Sequence, residues 1–395
     1  MIEWMLHEPQ FLNLLKATNS NALVPGFKAL LANGMQIRQF GFGQSNPTYL
    51  ISIKSNNENN ENDDLVKMVL RKKPQKVAHA SAHALHREFR VLKALQHHNR
   101  LHPTRKVPVP KPISYCRDKN VLGAEFYLME YVEGRIFTDP CLPGMTPQQR
   151  AKAYQNVLIT LANLHMVNPS EVGLENYGRA GNYVKRQLAR LLAVSHKQSQ
   201  LSGSQPVPEI EAVAKQLQDA ALQCPDQVSL LHGDFKVDNL VFHPTNPQVI
   251  AVLDWELSTI GDPLCDLANL SMMYLMPGIE KGLGVAGIAG KDLSNTGIPS
   301  RQALAQHYCE LNSKISQKQA MEWGGFYLAF LFFKNSVIIQ GVAQRAKTGV
   351  ASSAMANRVA TLLPVVISMT QTILKETPPP MSTTPTATAE NKSRL

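Results

Sequence analysis

Cysteine is scarce in this chain and thinly spread. Five residues, Cys116, Cys141, Cys224, Cys265 and Cys309, occur among 395, with no C-x-x-C pair. An odd number without a spacing framework excludes a disulfide scaffold and a thiolate zinc site, and indicates a reducing compartment. Long apolar runs are lacking too. The longest, Phe326 to Phe333, is cut at Lys334, which is too short to cross a bilayer and reads instead as a core helix. Glu3, His7 and Glu8 interrupt the first apolar residues, so no secretory signal is expected. Basic residues are dispersed and no DNA- or RNA-binding motif is recognisable, so nucleic acid is not an expected partner. No internal repeat occurs.

What is present is a globular composition, 44% hydrophobic and 18% charged, on a chain longer than one ordinary core. Two lobes or two domains are therefore expected. The net charge of +10 points to acidic partners: nucleotide phosphates, coenzyme A or an anionic membrane.

The informative stretch is Leu230 to Asp266, LLHGDFKVDNLVFHPTNPQVIAVLDWELSTIGDPLCD. An apolar entry leads into a short polar loop holding His232, Asp234 and Asn239. Leu240 to Phe242 and the turn HPTNP predict a hairpin with the β-branched run Val249 to Leu253, which ends at Asp254. The hairpin would set the loop beside Asp254, joining two carboxylates and an amide at one edge. Phosphoryl transfer needs such a set: a carboxylate to orient the attacking hydroxyl, and oxygen ligands to hold Mg²⁺ against phosphate oxygens.

Upstream, alternation on both sides of a glycine-containing turn predicts strands over Met35–Phe40 and Thr48–Ile53. Gly41 and Gly43 let the backbone approach phosphates, and Ser45 with neighbouring N–H groups would bind them. The run 55–64, SNNENNENDD, reads as a disordered loop. Leu65–Arg71 reads as a third strand, and a helix over about 81–95 carries Glu88. His79, His83 and His86 share a helical face, but no acid or cysteine ligand accompanies them, so a solvated or capping role is expected. Further strands are expected over Ile113–Cys116 and Glu125–Val132. Thr146-Pro147 opens a helix with apolar Ala153, Val157, Leu158, Leu161 and Leu164 on one face. Two more helices, over 181–194 and 208–222, flank a Ser/Gln/Gly-rich linker at 197–206, and residues 301–375 read as a set of helices. From Thr377 the tail reads as disordered, and its last residues Ser393, Arg394 and Leu395 match the S-K-L peroxisomal address with Arg for Lys. On that match the import receptor is an expected partner and the peroxisome the expected location in a eukaryote, the cytoplasm otherwise.

H-x-D-x-x-x-x-N followed by an apolar strand and Asp resembles the catalytic core of the protein-kinase-like fold. The HGD form is similar to the aminoglycoside phosphotransferase and choline kinase branch, whose members phosphorylate small molecules. The resemblance implies an α+β, two-lobed fold: a small β-rich N-lobe over 1–132, a larger, mainly helical C-lobe over 133–375, and a disordered tail over 376–395. It implies ATP and Mg²⁺ as cofactors, Asp234 as catalytic base, Asn239 and Asp254 as Mg²⁺ ligands, and His232 as a structural prop for the loop. It places a phosphate-contacting cation on the third strand, Arg71 or, in reserve, Lys73, with the choice set by strand register. Glu88 would pair with that cation, and backbone groups at Glu130 to Val132 would recognise adenine. Asp262 and Asp266 are expected to anchor their loop.

The segments GFGQSNPTYL, VLRKKP, AHALHREFRVLKAL, LMEYVEGR, LENYGRAGNYVKRQ, LLHGDFKVDNLVF and VLDWELSTIGDPLCDLA resemble the kinase-like domain of acyl-CoA dehydrogenase family members ten and eleven. That family implies a hydroxyacyl-CoA as the acceptor of the phosphoryl group. The chain ends after the kinase-like part, so no dehydrogenase chemistry carries over, and aminoglycosides or amino alcohols stand as alternative acceptors. The competing class is a nucleotide-binding pseudokinase module, which loss of the base or a metal ligand would mark. No D-F-G/A-P-E activation segment follows Asp254, which argues against a protein substrate.

Overall fold

The computed structural model describes residues 35–40, 46–54, 65–74, 84–201, 203, 205–278, 286–347 and 359–380. Residues 1–34, which read as helical over 1–33 from the apolar anchors Leu12, Leu15, Phe27, Leu30 and Leu31, lie outside the described residues, as do Gly41, Gly43, Ser45, the 55–64 loop, His79, His83, and Ser393, Arg394 and Leu395. Two compact units form: Met1–Gly178 with Ser229–Thr259 and Lys291–Pro299, and Arg179–Val228 with Ile260–Gly290 and Ser300–Leu395.

The first unit is built on a five-stranded antiparallel sheet of β1 (Met35–Gln39), β2 (Thr48–Lys54), β3 (Leu65–Lys72), β4 (Pro112–Cys116) and β5 (Phe126–Glu130), in the order β1-β2-β3-β5-β4. Consecutive residues Met68 to Lys72 are all buried, so β3 is covered on both faces, as a central strand with few polar positions requires. Register sets Arg71 opposite Thr48 on β2 and opposite Tyr127 on β5.

Helix α1 (Leu85–Leu101) packs on β4 and β5 through Val91, Leu92 and Leu95. It starts later and runs further than the predicted 81–95. The buried stripe continues to His98, and the helix stops at His102, just before Pro103. Helix α2 (Pro147–Met166) opens with a reciprocal cap, Thr146 Oγ1 accepting from Gln149 N–H and Gln149 Oε1 from Thr146 N–H. The predicted face is buried there. Strand β6 (Arg135–Ile136) forms a three-stranded antiparallel sheet with β8 (Leu240–Phe242) and β9 (Val249–Val252), and β7 (Ser229–Leu231) packs on α2. The predicted hairpin is thus present. Gly134 is needed for close approach: a Cβ there would lie 2.4 Å from the Phe242 carbonyl oxygen.

In the second unit α3 (Tyr183–Leu201), α4 (Pro208–Ala221), α5 (Leu264–Ser271), α6 (Arg301–Leu311) and α8 (Leu363–Glu376) surround α7 (Gln317–Lys347). The run Phe326–Phe333 is buried throughout. The helix does not end at Lys334, and by length and composition alone α7 could cross a membrane. Two-thirds of its most apolar window, 67%, is buried by its neighbours, which is what the core helix of a globular unit requires. Helix α3 also extends into the predicted linker, because Ser195 and Ser199 are buried and bonded to Gln340 of α7. Asp262 and Asp266 are both buried. Asp262 accepts from Leu264 N–H at 3.0 Å and from the Tyr327 hydroxyl at 2.6 Å, and burial pushes its carboxyl up to about 6.

Candidate active site

The polar loop between β7 and β8 is held by its histidine. His232 is fully buried, with its ring edge-on to Trp255 at 4.7 Å. Its Nε2–H donates to the Leu253 carbonyl at 2.8 Å, and its Nδ1 accepts from Asp234 N–H at 3.2 Å. These two bonds tie the loop to the end of β9. Gly233 allows the turn: its φ is +87°, and a Cβ would lie 2.4 Å from the Leu257 carbonyl oxygen. A short 3₁₀ turn, Val237–Asn239, then brings Asn239 back onto Asp234. Asn239 Nδ2 donates to the Asp234 carbonyl at 2.8 Å and to Asp234 Oδ2 at 3.2 Å. Leu253 N–H donates to the Asn239 carbonyl at 2.8 Å, so the residue before Asp254 is fastened to the loop.

Asp254 itself has φ +65° and ψ +60°, a left-handed conformation at the start of the 3₁₀ turn Trp255–Leu257. Such a backbone is uncommon outside glycine and here breaks the strand direction, aiming the carboxylate toward β3. There it meets Arg71: Nη2 lies 2.6 Å from Asp254 Oδ1 and 3.4 Å from Glu256 Oε2, while Nη1 lies 3.1 Å from Glu88 Oε1. One guanidinium therefore faces three carboxylates from two segments, the first turn of α1 and the turn that begins at Asp254. Burial opposes the Arg71 charge, but Glu88, Tyr127 and Asp254 outweigh it and raise the guanidinium above its usual range. Glu88 is only 2% exposed, and burial pushes its carboxyl up to about 7 against the pull of Arg71.

Of the two strand cations considered, Arg71 faces the acids, whereas Lys73 is half-buried at the strand end with its N–H on the Glu125 carbonyl. The Glu130 side chain is exposed and accepts from Lys111 N–H at 3.1 Å, and Val132 is half-buried just beyond β5. Three neighbours escaped the sequence reading. Lys236 Nζ sits 3.4 Å from Asp234 Oδ2 and 3.2 Å from Asp238 Oδ2. Burial works against its ammonium, yet the two acids hold it above its usual range. Glu256 shares Arg71 with Asp254. Asn46, 1% exposed at the head of β2, donates from Nδ2 to Glu256 Oε2 at 3.1 Å, and its buried Oδ1 has no partner among the described residues. Lys236 lies two residues after Asp234 and Glu256 two after Asp254, a spacing that pointed to them. Asn46 lies 210 residues from its partner, and nothing local announces it.

Two cavities lie in the second unit, one of about 490 Å³ beside α8, lined by Leu275, Val365, Met369 and Ile373, and one of about 170 Å³ beside Tyr327. Neither is lined by Asp234, Asn239 or Asp254, so side-chain chemistry rather than cavity volume marks the candidate site. Its oxygen donors suit a hard cation. The Asn239 side chain bonds through Nδ2 and the Asp254 side chain through Oδ1, so Asn239 Oδ1 and Asp254 Oδ2 are the oxygens that would serve a cation. Among the described residues no three His, Cys, Asp or Glu side chains form a metal-sized cluster.

A sequence profile of the APH phosphotransferase enzyme family matches residues 36–303. Curated relatives named acyl-CoA dehydrogenase family member 10 or 11 are 36–39% identical. Member 11 of Rattus norvegicus is 37% identical over 379 residues, which is 95% of this chain and 44% of the relative. The chain thus spans less than half the length of the curated relatives it matches. A solved structure from Ralstonia eutropha, bearing the name of an aminoglycoside phosphotransferase, is 34% identical, with a TM-score of 0.70 over 90% of this chain and 96% of that one. Choline kinase from Cryptosporidium parvum shares the fold at 13% identity, with a TM-score of 0.60 over 90% and 94% of the two chains. The fold is that of kinase-like phosphotransferases, a β-sheet N-terminal region followed by a helical C-terminal region. With the profile covering more than half of its length, this protein belongs to the phosphotransferase enzyme family.

Proposed function

We propose that this protein is a small-molecule kinase that transfers the γ-phosphoryl of ATP, with Mg²⁺, to an alcohol hydroxyl. The observation that carries this reading is the one-sided bonding of Asp234. Asn239 Nδ2 and Lys236 Nζ both engage Oδ2, leaving Oδ1 to receive a hydroxyl proton. A carboxylate oriented this way acts as general base for an acceptor alcohol. Asn239 Oδ1 and Asp254 Oδ2 would hold Mg²⁺, which when bound neutralises charge on the phosphate oxygens. Arg71 would orient the phosphates only after sharing its charge with Glu88, Asp254 and Glu256. Gly41, Gly43 and Ser45 would supply backbone and hydroxyl donors to the phosphates, and the backbone from Glu130 to Val132 would receive adenine.

The acceptor we propose is a hydroxyacyl-CoA. Support comes from relatives named for acyl-CoA dehydrogenases and from the net charge of +10. Lys185 and Arg186 on α3 are candidate partners of the coenzyme A phosphates. Aminoglycosides and amino alcohols, suggested by the names of the structural neighbours, are the alternative acceptors. The test is ATP consumption with and without EDTA against hydroxyacyl-CoAs, amino alcohols and aminoglycosides. Mg²⁺-dependent turnover confined to one acceptor class identifies it; no turnover with any of them refutes the kinase reading.

A further inference from the structure

Glu88 sits in the first turn of α1, and the ends of helices are prone to fray. The turn is held to the chain before it only by the Ala84 carbonyl among the described residues, which accepts from the N–H groups of Arg87 at 2.9 Å and Glu88 at 3.4 Å, and Ala84 offers no side-chain cap. Yet Glu88 is a fully buried carboxylate, a group that would gain hydration by swinging outward. Something must hold the turn in place.

The neighbouring residue does so. Arg87 Nη2 donates to the Tyr177 carbonyl at 2.8 Å and to the Ser258 carbonyl at 3.3 Å, and its guanidinium lies 4.2 Å from the centre of the Tyr177 ring. Tyr177 is 1% exposed. Its hydroxyl pairs with the Ser258 hydroxyl and lies 3.3 Å from the Arg87 carbonyl. Ser258 Oγ in turn donates to the Trp255 carbonyl at 2.6 Å. The chain of bonds therefore runs from the residue before Glu88, through Tyr177, to the turn that begins at Asp254. All of these residues belong to the first unit.

We propose that Arg87, Tyr177 and Ser258 form a bolt that positions Glu88 against the Asp254 turn, so that Arg71 finds its three carboxylates assembled without any activating event. Tyr177 and Ser258 are positioning residues and touch neither nucleotide nor acceptor. The geometry has a clear logic. Arg71 is the common partner of Glu88 and Asp254, and the bolt joins the segments carrying those two acids by a second set of bonds. Without it, the first turn of α1 would be free to open, and Arg71 would keep only Asp254 and Glu256. Buried and fully bonded, such a network sets geometry more than it adds stability.

The activity arm of the test rests on the kinase reading, and the exchange arm does not. Tyr177→Phe removes one oxygen, and Ser258→Ala the other; Ser258→Thr keeps the hydroxyl. Hydrogen exchange of the amides of residues 88–92 in the ligand-free full chain should quicken about tenfold in the first two variants, the factor one lost hydrogen bond corresponds to. Exchange in β3 and β5 should stay as in wild type, showing that the fold is intact. With a working acceptor, kcat should fall about tenfold at unchanged acceptor KM, the double variant should be no worse than either single one, and Ser258→Thr should restore it. Unchanged exchange at 88–92 in both variants overturns the bolt, and so does faster exchange with wild-type kcat. Absence of turnover in wild type overturns the kinase reading, while the exchange result still decides the bolt.

Discussion

At Asp234 a single oxygen carries all the side-chain bonds, and the role proposed for the other makes a sharp demand. Asp234→Asn keeps the shape and the Asn239 contact but cannot take a proton. Turnover should fall on the order of 10²–10⁴-fold, while nucleotide affinity measured by calorimetry stays within about twofold. Turnover near that of wild type would remove Asp234 from the mechanism. Glu88 supplies a second residue-scale test, through pH. Its carboxyl rises from an ordinary 4.5 to about 7 because burial outweighs the pull of Arg71. Between those values the folded chain keeps a proton that the unfolded chain has released. Its contribution to stability is therefore full below about 4.5 and lost progressively as pH rises to about 7. Glu88→Gln mimics the protonated side chain. The wild-type urea midpoint should thus fall relative to that of the variant across this window and run parallel above it. Parallel midpoints throughout would mean that Glu88 is hydrated in solution.

The elements that carry these residues are short, and they depend on backbone shape more than on length. Strands β7 and β8 have three residues each, yet the loop they frame is held by the buried His232 and by Gly233. Gly233→Ala would place a methyl group 2.4 Å from the Leu257 carbonyl at a φ of +87°. The loop and the turn after Asp254 cannot both keep their places. A non-glycine residue in such a conformation costs about 1–3 kcal/mol, before the clash is counted. The variant should melt several degrees lower and lose most of its turnover even where it remains folded; a thermal melt and a steady-state rate check both. Wild-type values for both would show that the loop has slack that the geometry does not suggest. The helices are different in kind. α7 buries Phe326, Tyr327, Phe330, Phe332 and Phe333, each worth about 1.5–3 kcal/mol, and its position follows from apolar area rather than from any one bond.

For the whole molecule, the excess of ten positive charges bears on which acceptors bind rather than on fold. If coenzyme A phosphates meet Lys185 and Arg186, added salt should raise the apparent KM for a hydroxyacyl-CoA and leave that of a neutral alcohol nearly unchanged, since exposed charges are screened within about 10 Å at 0.1 M. Free hydroxy acids phosphorylated as well as their CoA esters would exclude recognition of the coenzyme. Much of the architecture is legible in the sequence. Alternation marks β1 and β2, Thr146-Pro147 marks the start of α2, and HPTNP marks the β8–β9 hairpin, because each is a local preference written within a few residues. The proximity of His232, Asp234, Asn239 and Asp254 is legible for the same reason: one hairpin spans them all. Helix ends are less so. The run 197–206 looks like a linker until Gln340 bonds the buried Ser199 and α3 continues to Leu201, and the apolar run that Lys334 cuts is only part of the longer α7. Pairing across long separations is not legible at all. Only tertiary structure brings Arg71 to Asp254 and Glu256, Asn46 to Glu256, and Tyr177 to Arg87 and Ser258. Arg71 and Lys73 lie two apart and would share a face of a continuing strand; what separates them is that β3 ends at Lys72, and only the pairing with its neighbour strands fixes that end.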